Sequence, residues 1–447
     1  MKIREFVLAA LLGASPAGAT ELSVSTVDEL HSAINDAEPG DVIVLEDGVY
    51  SIVSTLKPSN HGTELAPIVL KARNRGGALL ESSDVMAFET RGAYWHFEDL
   101  VIQGVCALDD VCEHAFHIVG TADGTIIRNT VMIDFNAQIK GNGEDLGAGM
   151  IYPDDVVIEG NELYNNATRE TNNPVTPIDV VGGQRWIVRD NFIHDFAKGA
   201  SDLVSYAAFF KGNSKDGLFE RNLIACEWLH SGGIRVGLSF GGGGTSPDSV
   251  CEEGSCAIEH SGGIMRNNII AHCPRDVGIY LNESVDTSIY NNLLYNTSGI
   301  DVRYEVTTAD IRNNILAGDI TERDGGTATT SSNLENVSDE DFEAWFEDPA
   351  GLDFSLVLGS AFVDQGEALD EVWDDYCSND RDDGKPDIGA IEYDAEHDCE
   401  TAPGSDPGDD DGCQGRAVPM DLALFLLAPF HRLRRRRSAM RCHRGRR

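Results

Sequence analysis

Between residues 124 and 316 one short phrase returns seven times: two mostly apolar residues, two polar ones, then usually an asparagine, then a mostly apolar pair. The copies read IIRNTVM (126–132), VIEGNEL (157–163), IVRDNFI (187–193), LFERNLI (218–224), IMRNNII (264–270), SIYNNLL (288–294) and DIRNNIL (310–316). Each alternates with a period of two and gathers β-branched residues on one face, which predicts a short strand rather than a turn of helix. The slot residues Asn161, Asn191 and Asn222 are 30 and 31 apart, and Asn268, Asn292 and Asn314 follow at 46, 24 and 22. A second short strand fills most intervals, as AFHIVG, PIDVVG, AAFFKG, GIRVGL, VGIYLN and IDVRYE. Repeats of this length predict an all-β fold, a right-handed parallel β-helix solenoid, because one coil cannot bury its own apolar face and stacking supplies the core. The slot asparagines then stack as a side-chain amide ladder inside a turn, which is a structural role.

The solenoid is expected over 20–330. Residues 26–37 (TVDELHSAINDA) combine a threonine start signal with an acidic first turn, and predict a short helix capping the N-terminal end. Residues 331–400, with FSLVLGSAFVDQG and DGKPDIGAIEY, are expected to supply closing strands. Residues 1–19 read as a secretory signal peptide: Lys2 and Arg4, then FVLAALLGA, then small residues. An acidic Pro/Gly/Asp linker occupies 401–412, and 413–447 hold Cys413, the apolar PMDLALFLLAPF and an arginine cluster. That apolar run is short for a membrane span and carries Asp421. The tail resembles the myxobacterial C-terminal sorting tail, which implies recognition by export machinery and a secreted or cell-surface, outer-membrane-associated location. Nothing in the pattern asks for a second copy, so a monomer is expected.

Ten cysteines agree with an oxidising destination. Cys106 with Cys112, Cys251 with Cys256, and Cys377 with Cys399 are close enough to pair, and Cys226 and Cys273 meet if their coils are neighbours. None has a C-x-x-C spacing, which argues against zinc. The formal net charge is −41, but the first 19 residues and the arginine-rich tail are net positive, so the body from 20 to 412 carries −51. That excludes nucleic acid as a partner, because a phosphate chain needs a basic footprint. An acidic polysaccharide must be met by a local cationic strip, or in salt that screens beyond ~8 Å.

Function has to come from side chains that project from the flank of the solenoid. In residues 202–244 two lone basic residues stand on the second strands of consecutive coils: Lys211, eleven before Asn222, and Arg235, thirteen after it. Adjacent strands are ~4.8 Å apart, so the two heads are expected to share one patch. Such a pair suits β-elimination of a uronate polymer. A lysine becomes a base for the C5 proton when its pKa falls below ~10.4, and a guanidinium can clamp the carboxylate or serve the leaving oxygen. A hydrolase would need two carboxylates ~5–9 Å apart, for which Asp179, Asp202 and Glu227 are candidates.

At these residues, FFKGNSKDGLFERN and GGIRVG, the chain resembles polysaccharide lyase family 6, the β-helical alginate and chondroitin/dermatan lyases. PGDVIVLEDGVYS, GTELAPIVLKA and YWHFEDLVIQGV resemble the order in which that family opens its helix. The resemblance implies an enzyme acting on an alginate- or chondroitin-like substrate, with Lys211 as base and Arg235 as acid. No cofactor is implied with certainty: calcium is the family's usual cation, but its glutamates seven and five residues before the lysine are Val204 and Tyr206 here, and Val236 replaces the histidine after the arginine. The substrate carboxylate then needs another neutraliser, Lys215 or Arg185. Tyr206 is a candidate second proton donor and His230 a local acid or base; the alternatives are a stacked aromatic and a loop residue. Three rival functions remain: a noncatalytic surface adhesin or glycan-binding solenoid, a C5 epimerase, whose usual YG-x-DPH-type motif the chain lacks, and the carboxylate-pair hydrolase.

Overall fold

The computed structural model describes residues 20–147, 149–357, 361–381, 384–393, 399 and 401. The expected signal peptide, all of the linker but Thr401, and the C-terminal tail lie outside them. Three parallel sheets of twelve, ten and nine strands run the length of a right-handed parallel β-helix. One coil contributes Ile187–Arg189, Phe192–His194 and Val204–Lys211 to the first, second and third sheets; the next contributes Leu218–Glu220, Leu223–Ala225 and Ile234–Phe240.

The repeated phrase is the corner between the first two sheets. Its first apolar pair ends a strand of the first sheet, where Ile127, Ile158, Val188, Phe219, Met265, Ile289 and Ile311 stack in register, all fully buried. The fourth residue of the phrase turns the chain with a left-handed backbone: Asn129, Asp190, Asn267, Asn291 and Asn313 have φ between 52° and 57°. Asparagine and aspartate tolerate that conformation best among non-glycine residues. The fifth residue, the asparagine slot, enters the ladder: the Nδ2 of Asn191 donates to Asn222 Oδ1 at 3.0 Å, that of Asn222 to Asn268 at 2.9 Å, and so on to Asn333 beyond the last copy.

The outer face of the first sheet shows a second regularity. Lys71, Glu98, Arg128, Glu159, Arg189, Glu220 and Arg266 occupy one register column, alternating in sign from coil to coil. Their contacts include Arg128–Glu98 and Arg189–Glu159 at 2.6 Å and the buried Arg266–Glu220 at 2.5 Å.

At the N-terminal end the helix Val27–Asp36 covers the first coil with Leu30, Ala33 and Ile34. Thr26 and Glu29 cap it reciprocally, each satisfying a backbone N–H of the other's segment. The C-terminal part departs from the expected closing strands. Asp353–Leu356 is a strand, but it pairs antiparallel with Phe346–Asp348, and the described residues of DGKPDIGAIEY form no strand. Residues 361–381 and 384–393 instead lie along the corner of the solenoid, where Asn267, Asn291 and Asn313 donate to the carbonyls of Asp374, Asp387 and Glu367 at 2.8–2.9 Å. Four disulfides join Cys106 to Cys112, Cys226 to Cys273, Cys251 to Cys256 and Cys377 to Cys399. Among the described residues no helix is long and apolar enough to cross a membrane.

Candidate functional site

The third sheet carries most of its chemistry on its outer face. One register column there runs Glu89, His117, Lys140, Asp179, Phe209 and Ser239. Lys211 ends its strand two residues beyond Phe209, beside Val181 of the preceding coil. On the following coil the neighbouring position is Gly241, at φ 102°, where a Cβ would stand 1.8 Å from the Asn282 carbonyl oxygen. Only glycine fits, so no side chain covers Lys211 from that position.

The Lys211 ammonium donates to the Gly244 carbonyl at 3.2 Å and lies 4.6 Å above the Phe209 ring, with no carboxylate in salt-bridge contact among the described residues. Burial pushes its pKa down, and Lys140 adds to that, against the raising effects of Asp179 and Glu259. Glu259, itself buried, fixes the glycine-rich loop around this lysine by accepting from the Gly212 N–H at 2.6 Å and the Thr245 hydroxyl at 2.7 Å. Beside Lys211, the Lys140 ammonium donates to Asp179 at 2.7 Å. His117 Nε2 contacts Asn142 Oδ1 at 2.6 Å, and Asn142 is oriented by donating from Nδ2 to the Gly143 carbonyl at 2.8 Å. His117 therefore carries its proton on Nε2, leaving the buried Nδ1 as an acceptor without a partner among the described residues. Burial holds His117 below its ordinary range and takes neighbouring His114 to about 4, so both rings are neutral near pH 7. Tyr206 stands edge-on to Phe209 with ring centroids 5.4 Å apart, and its hydroxyl faces Gly243 of the same loop. Burial pushes that phenol upward, so it stays protonated.

Lys211, Asp179 and Tyr206 thus fall on one face, but Arg235 does not join them. Its register partner is Ser205, six residues before Lys211, which is roughly 20 Å along the strand. Its side chain is 1% exposed, donates to the carbonyls of Gly232 and Cys226 and to His230 Nδ1, and lies 3.7 Å from the fully buried Asp195. The expected convergence of Lys211 and Arg235 is therefore corrected: Arg235 is a buried strut under the 226–233 loop. His230 belongs to that strut, with Nε2 at 3.1 Å from the Asn165 carbonyl oxygen. Neither proposed neutraliser stands on the third sheet. Lys215 is paired with Glu253 at 2.6 Å on a small side sheet, and Arg185 is clamped by Asp155 at 2.6 Å and Asp154 at 3.2 Å. Of the other carboxylates, Asp202 is held by Lys198 at 2.9 Å and Glu227 by the Gly232 N–H at 2.9 Å.

Lys140, His114 and His117 were missed in the sequence, although QIKGNG shows a lone lysine just as AAFFKG does. Calcium does not fit the usual family position, because Val204 and Tyr206 offer no carboxylate there. Among the described residues no group of three or more His, Cys, Asp or Glu is placed to hold a metal ion.

Residues 24–146 match the family model described as Chondroitinase B. The matched segment includes His114, His117 and Lys140 and stops short of Lys211. No sequence among curated proteins matches the chain. Among solved structures, pectate lyase Pel9A superposes with a TM-score of 0.60 at 14% identity, covering 84% of this chain and 97% of its own. Rhamnogalacturonan lyase gives 0.48 at 14%, over 75% and 92%. An alginate lyase from Paenibacillus sp. gives 0.37 at 16%, over 71% and 95%. The likeness to Pel9A is one of fold.

Proposed function

We propose that the protein is a polysaccharide lyase that cleaves a uronate glycan by β-elimination on the outer face of the third sheet. The observation that carries this reading is Lys211, a half-buried lysine whose ammonium meets a carbonyl and an aromatic face but no carboxylate. Burial and the nearby Lys140 lower its pKa, which shifts it toward the free amine that a base requires. The Chondroitinase B match over the N-terminal coils supports the same reaction class.

In the proposed reaction Lys211 Nζ takes the C5 proton. The electron pair of the C5–H bond becomes the C4=C5 double bond as the C4–O4 bond breaks, and the Tyr206 hydroxyl donates its proton to the departing O4. The products are an unsaturated uronide and a new saturated chain end. An alginate- or chondroitin-like polymer is the proposed substrate, and a secreted or surface-sorted enzyme is the form that would meet it.

The test incubates the purified protein with alginate, dermatan and chondroitin, polygalacturonate and hyaluronan, and follows the ultraviolet absorbance of the conjugated uronide. At least one polymer is expected to give product, and Lys211→Met is expected to lose roughly 10²–10⁴-fold in kcat. Absence of product from every polymer would sink the lyase reading, and tight binding without product would favour the noncatalytic glycan-binding alternative.

A further inference from the structure

Two lysines share this face in opposite surroundings. Lys211 contacts no carboxylate, whereas the Lys140 ammonium sits on Asp179 at 2.7 Å while its side chain remains 20% exposed. Register places Lys140 and Asp179 on consecutive coils and Lys211 one coil further on, two residues toward the end of its strand. Removing a proton from C5 sends negative charge into the adjoining carboxylate, so the reaction needs a fixed donor at that carboxylate as well as a base. Among the described residues no cluster of His, Cys, Asp or Glu is placed to hold a family-type calcium ion, Lys215 and Arg185 are bound off this sheet, and Arg235 is buried under another loop.

We propose that Lys140 holds the substrate carboxylate in the position a metal ion would otherwise serve, and that the protein needs no divalent cation. For turnover this rests on the lyase reading; for binding it stands alone. An ammonium has three N–H donors, and Asp179 accepts one of them, leaving two for a carboxylate. Asp179 also fixes the direction in which the long side chain points. Because the Lys140–Asp179 pair is neutral as a unit, recognition is by short hydrogen bonds rather than by a long-range field, which suits a body carrying −51.

The experiment uses the full chain and four measurements. Wild-type activity is compared in EDTA and in added calcium. Lys140→Met and Lys140→Arg are characterised for kcat, KM and pH profile, with thermal unfolding as the check on folding and Lys140→Gln as the replacement if the methionine variant does not fold. Binding of tetrasaccharides of galacturonate, mannuronate and guluronate, and of their carboxyl-reduced forms, is measured by calorimetry on Lys211→Met with and without Lys140→Met.

EDTA is expected to leave activity unchanged, and Lys140→Met to lower kcat/KM by a hundredfold or more, with Lys140→Arg retaining more. The acid limb of the pH profile should move to higher pH in Lys140→Met, because a cation that lowers the Lys211 pKa has gone while Asp179 and Glu259 remain. Affinity for a uronate tetrasaccharide should fall at least tenfold, and that for its carboxyl-reduced form should not change. Activity abolished by EDTA and restored by calcium overturns the proposal and leaves the lyase reading standing, as do wild-type constants in Lys140→Met. If the wild type yields no unsaturated product, the lyase reading falls by itself and calorimetry decides: equal affinity with and without Lys140, or no uronate binding at all, overturns the proposal.

Discussion

The charge state of Lys211 links the chemistry of this face to its stability. Its folded pKa is lowered, so between that value and the unfolded value of ~10.4 the unfolded chain binds more protons, and wild-type stability climbs with pH through that window. Lys211→Met, the variant expected to lose most of its turnover, should therefore gain in thermal midpoint at pH 7, with the gain shrinking as pH approaches ~10.4; scanning calorimetry across that range checks both the gain and its decline. Asn222 gives the opposite case. Its Nδ2 donates to Val188 O and Asn268 Oδ1 at 2.9 Å, and its Oδ1 accepts from Asn191, all out of water. Asn222→Ala leaves those partners unpaired and should cost about 2–4 kcal/mol in urea unfolding, since each buried group stranded this way costs ~1–3 kcal/mol.

At the scale of strands and turns, the corner between the first two sheets was legible because its backbone dictates residue type: a left-handed bend followed by a buried amide selects the pair that the sequence repeats. The third sheet was not legible in the same way. Lys211 stands 20 residues after its coil's slot asparagine, Asn191, whereas Arg235 stands only 13 after Asn222. Both residues stand a similar distance from Asn222, eleven before and thirteen after, yet hydrogen-bond register sets Gly241, not Arg235, beside the lysine. The corner before the third sheet has no constant length or obligatory residue, so side chains on that sheet cannot be aligned by counting. Lys140 was hidden for the same reason. The Cys226–Cys273 bridge, by contrast, followed from the slot positions, which fix both cysteines near the same corner of successive coils. It spans the long insertion, with a sequence separation of 47. Replacing both cysteines by alanine should lower stability by up to about 4 kcal/mol, the loop-entropy value for that length, measurable as a lower denaturant midpoint.

For the molecule as a whole, net charge and local chemistry pull in opposite directions. A polyuronate approaching a body of −51 is repelled until salt screens it, so KM should fall severalfold as NaCl rises from about 10 to 150 mM. Steady-state rates across that range check it, and a rise in KM would show that a cationic field steers the polymer after all. The alternating column on the first sheet bears on a different problem. Coils of a solenoid look alike, and a growing stack could skip one and still bury isoleucine on isoleucine. Such a skip would set Arg128 against Arg189 and Glu159 against Glu220, pairs that the native order keeps two layers apart. Like charges directly opposed on neighbouring strands are destabilising, so the column acts as a proofreading code for assembly, rejecting the frameshift that a uniform apolar interior would accept.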